Sequence, residues 1–278
     1  MLDEHKRKYA AFAAAVCLPD EEIDLGRAAL VIAQGEYPEL SIGRYLERLD
    51  AMAGEVRRRA GENADPLRLI ATLNFVLFTR EGLRGNAVDY YDPRNSFLND
   101  VLERKRGIPI SLSVIYIEVA RRAGLNLCGV NFPGHFLVKH AGPEEEIVID
   151  PFHRGAILSA EDLQLRLDQL YGGNVPLDQG FLIAASKKQI LVRMLSNLKS
   201  IYLQQEDFER TLSVVERLLI LEPLAAQNIR DRGLLYLKQE CFLQAKADLE
   251  RYLKLAPDAA DAADIREYLL STLKLQFH

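Results

Sequence analysis

The spacing of apolar positions divides the chain into stretches with different periods. From the start to about residue 80, apolar residues recur at helical intervals. Pro19-Asp20-Glu21-Glu22 predicts a helix start, with carboxylates in the first turn where the helix dipole favours them. Tyr45, Leu46, Leu49, Met52 and Val56 form one stripe between Ile42 and Arg59. Pro66 opens another helix, with Leu67, Ile70, Leu73, Asn74, Val76 and Leu77 mostly inward. A polar, turn-rich connection follows, GLRGNAVDYYDPRNS, from Gly82 to Ser96. Asn95 or Ser96 is expected to cap a short helix ending near Gly107, and Pro109 opens the next. That helix, about Ile110 to Ala123, carries a stripe of Leu112, Ile115, Tyr116, Val119 and Ala123. Gly124 is the expected left-handed residue just past its end.

After Gly124 the period drops from helical to alternating. Leu125 to Phe132, His135 to Ala141 and Glu145 to Asp150 read as short strands rich in β-formers. A turn centred on Gly142-Pro143 would set His135 opposite Asp150 and Lys139 opposite Glu146. Phe136 would then meet Ile149, and Val138 would meet Ile147, on an apolar face. A one-residue slip would destroy this partition. An aspartate accepting from one imidazole nitrogen fixes the tautomer and raises the basicity of the other. His135 and Asp150 are therefore the orienter-and-base half of a nucleophilic site, or simply a satisfied polar contact.

The last third returns to helical period and repeats itself. Asn197 to Pro223 and Asp231 to Pro257 align at an offset of 34 residues: Tyr202 with Tyr236, Phe208 with Phe242, Glu216-Arg217 with Glu250-Arg251, Pro223 with Pro257. This is the tetratricopeptide period, in which each helix hairpin buries a face on its neighbour. The second copy carries Gly233 and Ala245, whereas the first has Lys199 and Thr211 there. Asp258 to Leu275 is expected to form a final capping helix. Two repeats are few for independent stability.

Composition narrows the function classes. Against 40 Asp+Glu stand 35 Lys+Arg, a formal charge of −5, which argues against a duplex nucleic-acid binder. Two local basic clusters, Arg57 to Arg59 and Arg104 to Arg106, read as solvated helix ends. Cys17, Cys128 and Cys241 are scattered and odd in number, the usage of a reducing compartment. No stretch approaches the ~20 apolar residues of a membrane span. Tyr9 to Leu18 follows Lys6, Arg7 and Lys8 and faintly mimics a signal peptide. Asp3 and Glu4 precede it, so a buried Ala-rich helix and a cytoplasmic protein are expected. Cys128, His135, His140 and His153 fit no standard zinc spacing, so no metal and no cofactor are expected.

Helix, strand with His135, then strand with Asp150-Pro151 resembles the transglutaminase-like core, a papain-related fold. More specifically, DYYDPRNSFLNDVLERKRGIPISLSVIYIEVARRAGL followed by PGHFLVK and VIDPF resembles the bacterial SirB-type family, over nearly the whole chain. That family joins a transglutaminase-like part to tetratricopeptide repeats. The resemblance implies an α+β fold: a helix-rich transglutaminase-like domain with a small antiparallel sheet over 1–185, then an all-α repeat segment over 186–278. It also implies a nucleophile slot at the start of the central helix, where active members hold cysteine. Here Pro109 occupies that slot, with Ser111 close by, and Cys128 lies beyond the helix. Two readings follow. The first is an interaction or regulatory protein with a silent or altered domain, docking a protein or peptide through the repeats. The second is a hydrolase or acyl-transfer enzyme with Ser111 as nucleophile, His135 as base and Asp150 as orienter. Ser111 and Ser113 equally suit helix capping. The polar residues Asp89, Tyr90, Tyr91, Asp92, Asn95, Ser96 and Asn99 form either a ligand-recognition loop or a turn that holds the helix start.

Overall fold

A computed structural model of the chain describes residues 2–142 and 146–275, with side chains from residue 9 to residue 142 and from residue 146 to residue 269. It falls into two units, residues 1–194 and 195–278.

The first unit begins with helices. Helix α1, Leu2–Val16, buries only Tyr9, Phe12 and Val16 among its described side chains, so the Ala-rich segment is an amphipathic helix rather than a buried one. Pro19-Asp20 does not start a long helix. Asp20–Glu22 is a single turn, and α2, Leu25–Gln34, starts only after Asp24, which accepts from Arg27 N. The Asp20 carboxylate instead accepts from Lys187 N (2.8 Å) and Lys188 N (2.9 Å). Helix α3, Ile42–Ala60, buries Tyr45, Leu49, Met52 and Val56 as the stripe requires. Helix α4, Pro66–Asn74, buries Ile70 and Leu73 and leaves Leu67 exposed, and it runs on as a wider turn through Arg80.

Strands β1, Arg84–Gly85, and β2, Arg106–Gly107, form a short parallel pair. Between them lies α5, Leu98–Arg104, which starts after Phe97 rather than at Asn95 or Ser96. Helix α6, Pro109–Arg122, is buried from Pro109 to Ala120. Most of its buried positions are apolar, as burial all round requires, and buried Glu118 is paired with Arg121 and Arg122.

The sheet is larger than the alternating pattern indicates. Three strands are read from the sequence, but they are shorter: β3 Cys128–Val130, β4 Leu137–Ala141 and β5 Glu146–Asp150. Two more join them, β6 Ala156–Leu158 and β7 Ala184–Ala185, in the antiparallel order β6-β5-β4-β3-β7. The β4–β5 register also differs. Val138 faces Ile149 and Ala141 faces Glu146, two residues along from the expected pairing. A shift of two keeps every side chain on its face. Lys139 still reaches Glu146, now as a diagonal pair at 2.7 Å. The turn expected at Gly142-Pro143 falls partly on residues 143–145, which lie outside the described residues.

The two sheet faces have different covers. Val130, Leu137 and Val148 pack with Leu163 and Leu167 of α7, Ala160–Tyr171, together with Phe132 and Leu182. Helix α6 touches β3 and β4 but contributes nothing to that cluster, so it lies on the other face, with Val138 and Ile149.

The second unit consists of helix hairpins. Helix α8, Lys187–Gln204, runs into it, followed by α9 Phe208–Leu221, α10 Ala226–Lys238, α11 Phe242–Leu255 and α12 Ala262–Leu275. The repeat extends to the backbone. Glu206 and Glu240, one period apart, both adopt positive φ (56° and 59°). In the same turns Asp207 N and Cys241 N donate to Tyr202 O and Tyr236 O. Gly233 lets α10 approach α11 closely, since a Cβ there would meet Leu249. The departures of the first copy are accommodated: Lys199 Nζ donates to Asn228 and Asp231, and Thr211 Oγ1 donates to Asp207 O. The unit's core contains Val215, Leu219, Ile229, Leu235, Leu249, Tyr252 and Ile265.

Candidate functional site

Asp150 ends β5 and organises everything near it. Pro151, with no N–H, opens a short helical turn through His153. The Asp150 carboxylate accepts from the next free amides, Phe152 N at 3.0 Å and His153 N at 3.3 Å. His135 Nε2 lies 3.0 Å from Oδ1, His153 Nδ1 lies 2.7 Å from Oδ2, and an Arg166 N–H donates to Oδ2 at 2.6 Å. Asp150 is fully buried. Burial alone would raise its pKa, but hydrogen bonds and charge from His135 and His153 hold the carboxyl well below the usual carboxylate range.

His135 is not part of a strand. It lies in the bend before β4, its N–H donating to Phe132 O. Its ring meets Phe152 edge-on, at 5.9 Å between centroids, and lies tilted against His153 at the same distance. The expected pairing of His135 with Asp150 thus forms, by a route other than direct cross-strand opposition. Alternation places Asp150 on the face of Val148, the face that α7 covers, and Arg166 of α7 reaches it there.

The hydrogen bonds of Ser111 go elsewhere than to this pair. Its side chain is fully buried at the start of α6. The hydroxyl donates to Asn95 O at 2.6 Å and accepts from Ile108 N at 3.1 Å. These are the bonds of a residue that fastens a helix start. Pro109 is the first residue of the helix. Cys128 lies in β3, its thiol donating to Lys139 O, and burial pushes that thiol's pKa up, away from thiolate.

The polar loop splits into two groups. Asp92, Asn95, Ser96 and Asn99 are buried. Asn95 accepts from Asn86 Nδ2 and donates to Asp89 O, while Asp92 pairs with Arg94 and Arg104. Asp89, Tyr90 and Tyr91 are exposed, and the two tyrosine rings meet edge to face at 5.3 Å.

Two further residues complete the site: His153, weighed from the sequence only as a zinc ligand of non-standard spacing, and Arg166, which the sequence reading missed. His153 follows Asp150 by one helical turn, a spacing that was available as a signal. Arg166 had none, because α7 falls in a stretch where neither period stands out. His135, Asp150 and His153 present donor atoms within 4.8 Å of one another. His140 turns elsewhere, to Asn126 O.

Fold and site together define a class: a transglutaminase-like α+β unit with a His–Asp pair, joined to tetratricopeptide hairpins. Residues 43–196 match the family model described as transglutaminase-like superfamily, and residues 198–269 match that of the tetratricopeptide repeat. The chain belongs to this transglutaminase-like family, alongside bacterial UPF0162 proteins. A UPF0162 protein of Xylella fastidiosa (strain 9a5c) is 42% identical over 265 residues, covering 93% of this chain and 94% of its own. UPF0162 protein PA3419 of Pseudomonas aeruginosa is 32% identical over 223 residues, covering 79% and 80%. Human F-box only protein 21 is 33% identical over 147 residues, covering 48% of this chain and 22% of its own. No solved structure matches the chain. No helix among the described residues is long and apolar enough to cross a membrane.

Proposed function

We propose that this is a cytoplasmic interaction or regulatory protein. Its repeat segment docks a protein or peptide, and its transglutaminase-like unit is catalytically silent or altered. The observation that carries the reading is the use of Ser111: its proton is committed to Asn95 O inside the fold, and Pro109 stands in the nucleophile slot. Repeats of this kind supply extended binding surfaces. Leu203 and Leu234, 41% and 39% exposed, are apolar positions on α8 and α10 free to meet a partner. Of the polar loop, Asp89, Tyr90 and Tyr91 are the residues open to a ligand. The test is capture of a partner by the full chain, identified by mass spectrometry, with Leu203→Glu and Leu234→Glu as controls. Loss of that partner in the folded variants is expected; capture unchanged in both sinks the docking role.

The hydrolase or acyl-transfer reading rests on a separate observation, the 3.0 Å contact between His135 and Asp150. It requires Ser111 to leave its two partners and reach His135. A fluorophosphonate probe separates the readings. We expect no labelling of wild type. Labelling at Ser111 that disappears in His135→Ala would establish the enzyme instead.

A further inference from the structure

We propose that His135, Asp150 and His153 form a binding site for one divalent transition-metal ion. The site stands apart from the docking role and does not depend on it.

The donor set is two imidazoles and one carboxylate, a combination that suits zinc, cobalt or iron(II). Asp150 lies between the rings, one oxygen toward each: His135 Nε2 at 3.0 Å and His153 Nδ1 at 2.7 Å. Ligand atoms each about 2.1 Å from a shared ion stand about 3.4 Å apart in a tetrahedral site and at most about 4.2 Å apart. The three donors here lie within 4.8 Å, so a small rotation closes the remainder. His153, with a side chain 56% exposed, is free to make it. Metal entry needs no net proton loss from neutral rings. Each moves its N–H to the outer nitrogen, Nδ1 of His135 and Nε2 of His153, and turns a lone pair inward.

The remaining contacts then acquire a role. Phe152 N and His153 N hold Oδ1, and Arg166 holds Oδ2. Metal-binding carboxylates are oriented by hydrogen bonds of this sort. Arg166 also opposes the ion, because its guanidinium lies against the same carboxylate. His153 forms the exposed edge of the site. Linear spacing hides the site, since it is assembled from a bend, a strand end and a turn.

The test is titration of chelator-stripped full-length protein with cobalt(II), read by visible absorption, and with zinc(II) in competition with a chromophoric chelator. One ion per chain is expected. His135→Ala and His153→Ala each remove a ligand, so each should weaken binding by more than the roughly 10–100-fold that losing an outer-shell partner costs. Arg166→Gln keeps a donor but removes the charge, so it should tighten binding. That opposite sign separates lost ligation from a damaged fold, which circular dichroism also checks. No binding by wild type overturns the proposal. So does binding that survives both histidine variants, which would place the ion on other histidines.

Discussion

Asp150 collects five hydrogen-bond donors while fully buried, two from the backbone and three from side chains. A buried carboxylate in that setting stabilises only in its charged form. We expect Asp150→Asn to cost about 3 kcal/mol at neutral pH, by leaving donors without a charged acceptor. The folded-state pKa lies below the unfolded one. The contribution is therefore fully present above the ordinary carboxylate range, about pH 4, and is lost as pH falls toward the depressed value. Urea unfolding of wild type and Asp150→Asn should show a gap that is widest near pH 7 and narrows below about pH 4. A gap that stays constant with pH would show that the charge is not what holds the site. Ser111 makes a second residue-scale prediction. Ser111→Ala removes the donor to Asn95 O and the acceptor of Ile108 N, so it should cost about 1–2 kcal/mol of stability in denaturant melts. An unchanged midpoint would contradict the structural role of that hydroxyl. At this scale the sequence shows half of the site. Asp150 stays on its expected face because a register shift of two preserves alternation, whereas His135 reaches it from the bend before β4. Arg166 is not legible, because it arrives from a helix whose pattern is weak.

At the scale of elements, the turn after β5 depends on one backbone position. Gly155 has φ +75°, and a Cβ there would overlap the Asn74 side-chain amide. That amide is already engaged: its Nδ2 donates to Gly155 O and its Oδ1 accepts from Tyr116. Gly155→Ala should therefore cost about 1–3 kcal/mol, from strain and overpacking together. Gly54 is the control, within α3 with open space around its would-be Cβ. Gly54→Ala should stabilise by about 0.5–1 kcal/mol. Thermal melts that move the two variants in the same direction would refute the distinction. Elements of strong period were legible: α3 and α6 from apolar spacing, α6 with Pro109 at its start, and the repeat hairpins from the 34-residue recurrence. The edge strands β6 and β7 were not, being three and two residues long and set by pairing rather than pattern. The strand register was misplaced because it was inferred from a turn centre. Turn length, not strand composition, fixes that parameter.

Across the whole chain, the question is where the repeat segment begins. The two compact units divide between Met194 and Leu195, inside α8. The start of α8 at Ser186 carries a cap of its own, beside the bonds that Lys187 N and Lys188 N give to Asp20. Ser186 Oγ accepts from Gln189 N at 3.1 Å, and Gln189 Oε1 accepts from Ser186 N at 2.8 Å. This reciprocal cap satisfies two amides at the start of α8. A fragment beginning at 195 loses the cap and leaves only the second half of the helix. Helices that short are marginal in water without support. A fragment of residues 186–278 keeps the whole of α8, and with it Leu198, Ile201 and Tyr202 on an intact helix. We therefore expect 186–278 to show more helix per residue by circular dichroism and a higher melting temperature than 195–278. Ser186→Ala in the longer fragment should lower its stability by about 1 kcal/mol. If both fragments melt alike, α8 contributes nothing to the repeat segment and the boundary belongs at 195. The sequence places this start correctly only if the cap outweighs contact density, and the melting comparison decides which of the two governs.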